Sequence, residues 1–430
     1  MAVSKHSHHS LRRPARVVIL GAGFAGLQVA QGLANTDLNV TLLDRQNHHT
    51  FQPLLHQVAT AELEPSQVAY PIRSALRRAQ NVAFVMAEVL KIEAVQQWVE
   101  TSAGRFHFDF LVVATGSRPR LERVSGAAQH AFVLKGVGDA IAIHQHVLNC
   151  FEQALTTVSS SAQQRHLTVA IAGGGTTGVE LAGAMAEWIH HALVKDYGRL
   201  NCHQIRLVLL HSGGELLPGF HPRLQRYALR HLQTLGVEIH LHTRVSQITT
   251  DAVQLQDGRH IPAKTVVWTA GVQANSPVQG RRDRSARWAV LPTLQTADHP
   301  SIYALGDVAA DATTPLPMVA SVAVQQGRTV AHNILRQARG QRPLPFQYQP
   351  LGKMAILSRH AAVAQVGRLT MTGFPAWLVW LAVHIALLRG LRHRFLTLVH
   401  WGLSYCFRER VSQVLWQPSP FEVPVSTQKF

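Results

Sequence analysis

At 430 residues the chain is too long for one ordinary core and suits two domains with an additional segment. With 47% hydrophobic and 15% charged residues it is folded and somewhat greasy, which excludes a disordered chain. The formal charge of +17 suits nucleic acid, anionic lipid or a phosphate-bearing substrate, but no DNA-binding helix pair, zinc finger or RNA-binding signature accompanies it; no nucleic-acid partner is expected.

The opening MAVSKHSHHSLRRP is polar and lacks an apolar core, so it reads as a flexible tail and not as a secretory signal. Its His6, His8 and His9 are not taken as a metal site, and none is expected elsewhere. Next comes ARVVILGAGFAGLQVAQGLA, an apolar strand, a glycine turn and a helix. Gly21, Gly23 and Gly26 carry the G-x-G-x-x-G spacing, with Phe24 and Ala25 opening the helix. The first glycine permits the tight turn, the second lets backbone approach a pyrophosphate, and the third lets helix and strand pack closely. The helix N-terminus offers unpaired N–H groups to the phosphates. A second strand, NVTLLD, ends in Asp44, where a carboxylate can accept both ribose hydroxyls, with Arg45 beside it. The combination marks a dinucleotide site. The segment FDFLVVATGSRP then places Ala114, Thr115 and Gly116 after another strand.

The glycine spacing recurs in LTVAIAGGGTTGVELAGAMAE, at Gly173, Gly175 and Gly178, with Thr177 and Glu180 at the start of the helix. Two such units imply two dinucleotides, and the pair that exchanges hydride is FAD with NADH or NADPH. The next strand, IRLVLL, ends in His211 where an acid is expected. A carboxylate there would bind the ribose diol and repel a 2′-phosphate; a histidine leaves the choice between NADH and NADPH open. The segment SIYALGDVAA brings Gly306 and the strand-end acid Asp307, suited to a flavin ribityl chain. These segments flank the second unit, so the FAD domain is expected to be interrupted: 14–120 and 290–340 for FAD, 121–289 for NAD(P)H, and 341–430 as a C-terminal region. The run RRDRSAR at 281–287 reads as a solvated loop. The fold class is α/β with two Rossmann-like domains.

Beyond Gln349 the composition changes. FPAWLVWLAVHIALL, 374–388, has His384 as its only polar residue and is followed by Arg389, Arg392 and Arg394. As a helix it is about 22 Å long at 1.5 Å per residue, short of a hydrocarbon core of about 30 Å. A second apolar stretch, FLTLVHWGLSYCF, ends at Arg408 and Arg410. Two Trp-bearing helices flanked by arginine read as a monotopic, membrane-anchoring segment, with Trp377, Trp380 and Trp401 at headgroup level. A dimer interface is the competing reading. Cys150, Cys202 and Cys406 form no C-x-x-C and are expected to be ordinary buried thiols.

From about Arg16 to about Leu415 the pattern resembles the two-dinucleotide-binding-domain flavoproteins and, within them, the type II NADH:quinone oxidoreductases. The likeness is carried by DRQNHHTFQPLLHQVAT, GGGTTGVELAG, TVVWTAGV with Ala270 and Gly271, IYALGDVA, VASVAVQQG and FPAWLVWLAVH. It implies non-covalent FAD, a nicotinamide nucleotide on one ring face and a membrane quinone on the other, without ion pumping. It also implies a homodimer attached peripherally at the cytoplasmic face of the inner or plasma membrane. The family's quinone motif, A-Q-x-A followed by glutamine, falls on Ala320, Ser321, Val322, Ala323, Val324, Gln325 and Gln326, with Ser321 in place of the first glutamine. That motif implies quinone contact for Gln325 and Gln326, and the resemblance places Glu180 near the flavin, where it could relay a proton. The alternative reading is an NADPH-preferring prenylnaphthoquinone reductase of quinone biosynthesis or redox balance. Two weaker rivals are a sulfide:quinone oxidoreductase, which needs paired cysteines that do not accompany the FAD segments, and a non-catalytic FAD-binding protein, which the second glycine motif opposes.

Overall fold

The computed structural model describes residues 13–275, 287–311, 316–407 and 414–415. The N-terminal histidines, all but Arg287 of the 281–287 run, and Arg408 and Arg410 lie outside them. The chain divides into two compact units, each discontinuous in sequence.

In chain order, β1 (Arg16–Leu20), α1 (Phe24–Gly32) and β2 (Asn39–Asp44) open the first unit. A short helix, α2 (Leu55–Ala59), belongs to the second unit. The first unit resumes with β3 (Val82–Met86) and β4 (Phe110–Val113). The second unit then takes α3 (Val137–Thr156), β5 (Thr168–Ala172), α4 (Thr176–Trp188), β6 (Arg206–Leu210), α5 (Pro222–Thr234), β7 (Val237–His240) and β8 (Thr265–Trp268). β9 (Ile302–Ala304) and α6 (Ala320–Ala338) close the first unit. The C-terminal strands β10 (Lys353–Ser358), β11 (Ala361–Val366) and β12 (Leu369–Thr372), with α7 (Gly373–Leu387) and α8 (Leu391–Phe407), return to the second.

The first unit is built on a five-stranded parallel sheet of order β9-β4-β1-β2-β3. After Arg16, β1 is an unbroken apolar run with Val17 to Leu20 all buried, as a strand covered on both faces requires. Helices α1 and α6 lie close because Gly32 and Gly327 carry no side chains: a Cβ on Gly327 would stand 2.8 Å from the Ala25 carbonyl oxygen, and one on Gly32 2.7 Å from the Ala331 Cβ.

The second unit repeats the plan. Its parallel sheet runs from the short strand Phe132–Val133 through β8, β5 and β6 to β7. The C-terminal region is not a separate appendage here. Its antiparallel sheet β10-β11-β12 packs on α4. Gly183 makes this possible, since a Cβ there would meet the Leu357 carbonyl oxygen at 1.7 Å.

The two apolar stretches do form helices, α7 and α8, and no helix among the described residues is long and apolar enough to cross a membrane. Trp380 and Trp401 correct the sequence reading. Trp380 is fully buried, and Trp401 is buried with its indole N–H donating to Gln57 Oε1 at 3.0 Å. Their bulk closes the unit's interior, leaving Trp377 half-buried at the surface. Outward-facing apolar side chains remain on both helices, among them Phe374, Leu378, Leu391 and Phe395. Of the cysteines, Cys150 is buried, but Cys202 is exposed, contrary to the expectation for it.

Candidate nucleotide sites and an acid-lined pocket

In the first unit the glycine turn forms as the spacing predicts. Gly21 has φ 96°, and its N–H donates to the Leu43 carbonyl at 2.7 Å. A Cβ on Gly26 would lie 1.9 Å from the Gly21 carbonyl oxygen, so the third glycine is needed for contact between helix and turn. A Cβ on Gly23 would meet nothing within 4 Å, leaving open space beside the N-terminus of α1. Asp44 sits at the end of β2, where its Oδ2 accepts from the Ala22 N–H at 2.6 Å and its Oδ1 from the Gln46 N–H at 2.8 Å. Arg45 points away to Glu88, 3.9 Å off, with both side chains well exposed.

The other expected FAD residues gather in the same unit. The Thr115 hydroxyl donates to the Asn275 carbonyl at 2.5 Å, and the Asn275 N–H donates to Gly116 at 2.9 Å, fixing the 114–116 turn. Ala114 backs Gly21, whose Cβ would stand 2.5 Å from the Ala114 carbonyl oxygen. The Ser117 hydroxyl donates to Asp307 Oδ2 at 2.5 Å. Gly306, at φ 74°, lies against Ala25 and Ala323. Open space at a helix N-terminus with a carboxylate at each of two strand ends fits a dinucleotide bearing a ribityl chain. His49 was not singled out from the sequence: it is buried, its Nδ1 lies 3.0 Å from the Ala22 carbonyl, and it meets Phe24 edge-on at 4.9 Å.

Gln325 and Gln326 take local roles in this unit. Gln326 is buried, and its Oε1 accepts from the Gly306 N–H at 2.6 Å. The Gln325 amide donates to the Gln349 carbonyl at 2.9 Å and accepts from the Gln349 N–H at 3.0 Å. Ser321 shares a hydrogen bond with the Tyr348 hydroxyl at 3.1 Å.

The second glycine turn follows the first closely. Gly173, at φ 127°, donates to Leu210, and a Cβ on Gly178 would lie 1.8 Å from the Gly173 carbonyl oxygen. The space beside Gly175 is open, and Thr177 is exposed at the start of α4. His211 occupies the position that Asp44 fills in the first unit: its Nδ1 accepts from the Gly174 N–H at 3.1 Å. Ala270 and Gly271 follow β8, with Gly271 accepting from the Arg120 N–H. Thr269, overlooked in the sequence, donates its hydroxyl to the Ala172 carbonyl at 3.0 Å.

Glu180, on the first turns of α4, lines a pocket of about 240 Å³ that lies wholly within the second unit. The pocket runs between α2, α4, β10, α7 and α8. Its wall includes His56, Glu62, Glu187 and His191, and its far side is aromatic, with Trp377 and Tyr405 around His360 at ring-centroid distances of 5.3 and 5.0 Å. The carboxyl touches the cavity, but protein encloses it, and burial raises its pKa to about 8. The Ile356 N–H, donating at 3.3 Å, and the nearby Trp380 indole N–H pull in the opposite direction without overcoming burial. At neutral pH this is therefore a carboxylic acid able to donate a proton.

Residues 15–327 match the family of the pyridine nucleotide-disulphide oxidoreductases. The chain is 35% identical over 413 residues to the type II NADH:quinone oxidoreductase Ndh of Mycobacterium tuberculosis, covering 92% of this chain and 89% of that protein. It is 30% identical to a type II NADH:quinone oxidoreductase of Staphylococcus aureus, over 82% of this chain and 89% of the relative. The chain thus belongs to the pyridine nucleotide-disulphide oxidoreductases and, within them, to the type II NADH:quinone oxidoreductases. The fold agrees with NDH2 of Plasmodium falciparum in complex with NADH at a TM-score of 0.86 and 17% identity, over 94% of this chain and 100% of that one.

Proposed function

We propose that this protein is an FAD-dependent NADH:quinone oxidoreductase that does not pump ions. The carrying observation is the repeated strand–glycine turn–helix, each with an acceptor on the N–H that follows the first glycine. FAD, when bound, supplies the two-electron step between nicotinamide and quinone.

The chain's own residues do the positioning. The α1 N-terminus and Asp44 hold the pyrophosphate and ribose of FAD, Asp307 holds the ribityl chain, and Gln326 fixes the Gly306 turn. The α4 N-terminus and the 269–271 loop hold the second nucleotide. The quinone ring enters the pocket in the second unit between its aromatic side and Glu180, and Glu180 delivers a proton to the reduced oxygen. Gln325, fixed by Gln349, supports the α6 end of the flavin domain. The outward apolar side chains of α7 and α8, with arginines at 389, 392 and 394, rest on a bilayer surface as a peripheral anchor, so the lipid-soluble substrate reaches the pocket from the membrane. The site of attachment is the cytoplasmic face of the inner or plasma membrane, and the protein acts as a homodimer.

A pocket-filling variant tests this. Ala184 lines the pocket and is buried on α4. In Ala184→Phe, NADH should still bleach the flavin at the wild-type rate, while quinone reoxidation should slow at least tenfold. Equal slowing of both half-reactions, or of neither, contradicts the assignment of the pocket.

A further inference from the structure

Resting on the reading that the second glycine site holds the nicotinamide nucleotide, we infer that His211 makes the adenosine-ribose end of that site indifferent to a 2′-phosphate, so that NADPH is accepted alongside NADH. One hydrogen bond, made twice with different chemistry, carries this. Asp44 Oδ2 accepts from Ala22, the residue after Gly21, and Oδ1 accepts from Gln46. A carboxylate has about four lone-pair sites, so acceptors remain for a ribose diol, along with a negative charge. His211 Nδ1 accepts from Gly174, the residue after Gly173. A backbone N–H can only donate, so the ring's proton sits on Nε2. Neutral imidazole has one acceptor lone pair, and here it is spent. His211 therefore offers the ribose hydroxyls no acceptor and offers a 2′-phosphate no repulsion.

The ring is held in this arrangement. A Cβ on Gly174 would lie 2.7 Å from His211 Cγ, and one on Gly213 2.8 Å from Nε2, so both turns press on the imidazole. Burial keeps its pKa below the ordinary value, with a backbone contact to Glu215 acting the other way. A second imidazole flanks the rim, since a Cβ on Gly214 would meet His242 Cε1 at 2.7 Å. The only carboxylate in the loop is that of Glu215, which is exposed. The absence of a strand-end acid was visible in the sequence, but not that the histidine's acceptor is already used.

The test compares NADH with NADPH as donors to the FAD-bound protein, and AMP with adenosine 2′,5′-bisphosphate as calorimetric ligands. Wild type should show kcat/KM values for the two nucleotides, and Kd values for the two ligands, within roughly tenfold of each other. His211→Asp and His211→Glu should shift both ratios toward NADH and AMP by roughly 100-fold, the scale of a like-charge juxtaposition of several kcal/mol. Glu215→Gln should leave both ratios unchanged. A wild-type preference for NADH and AMP well above about tenfold, or a shift of either ratio in Glu215→Gln, overturns the inference. If a His211 variant loses its flavin, the wild-type and Glu215→Gln ratios decide alone. Failure of NADH to bleach the flavin would sink the underlying function as well, whereas bleaching by NADH with strict rejection of NADPH sinks only the role of His211.

Discussion

Replacing Glu180 with glutamine should separate the proton donor from the rest of the machinery. Moving a carboxylic acid from 4.5 to about 8 by burial corresponds to a differential on the order of 5 kcal/mol. Between those values the folded state holds a proton that the unfolded state has released, so stability falls as pH rises from 4.5 to 8 and levels off above. Glu180→Gln keeps the shape and cannot ionise. Urea midpoints at pH 6, 7.5 and 9 should show the variant gaining on wild type as pH rises, with most of the difference present by pH 9. In the quinone half-reaction the wild type should lose rate above pH 8, and the variant should be slowed by roughly 100-fold, the low end of general acid catalysis. Flavin reduction by NADH should change less than threefold. If both proteins share one pH dependence of stability and of quinone reduction, Glu180 is not the protonated acid argued for here.

His384 is buried in α7 with its Nδ1 2.7 Å from the Trp380 carbonyl, and burial lowers its pKa to about 4. Its neutral form is favoured in the folded state, so stability should drop as pH falls from 6.5 to 4, by on the order of 3 kcal/mol, and His384→Phe should flatten that limb in denaturant melts. Gly183→Ala sets a Cβ against the backbone of β10, so at least about 3 kcal/mol of stability should be lost; Gly138→Ala, with open space around its Cβ, should change stability by less than about 1 kcal/mol. Thermal melts distinguish the two outcomes. Asp44→Ala leaves the Ala22 N–H without its acceptor, and the flavin content of the purified protein should fall well below that of wild type while the secondary structure, read by circular dichroism, persists.

The sequence was most informative where chemistry forces local geometry. Gly21, Gly26, Gly173 and Gly178 could be placed because a close turn and a close helix exclude side chains, and Asp44 because a strand-end acid has few other uses there. Pattern alone did not distinguish an apolar helix facing lipid from one closing a core. Trp380 and Trp401 have the composition of interface anchors, and only packing against Gln57 and the rest of the second unit buries them. The same limit applies to the acid pocket. Glu180 stood out as a helix-start acid, but its partners come from α2, β10, α7 and α8, brought together by contacts far apart in sequence. His49 and Thr269 gave no signal, since a buried histidine or threonine bonding to backbone has no spacing rule.

The most direct check of the whole account is an anaerobic titration of the purified protein. NADH should bleach the flavin absorbance at one equivalent per flavin, and a quinone added in detergent or liposomes should restore it. A flavin that stays oxidised under NADH, or that is reduced but not reoxidised by any quinone, contradicts the account.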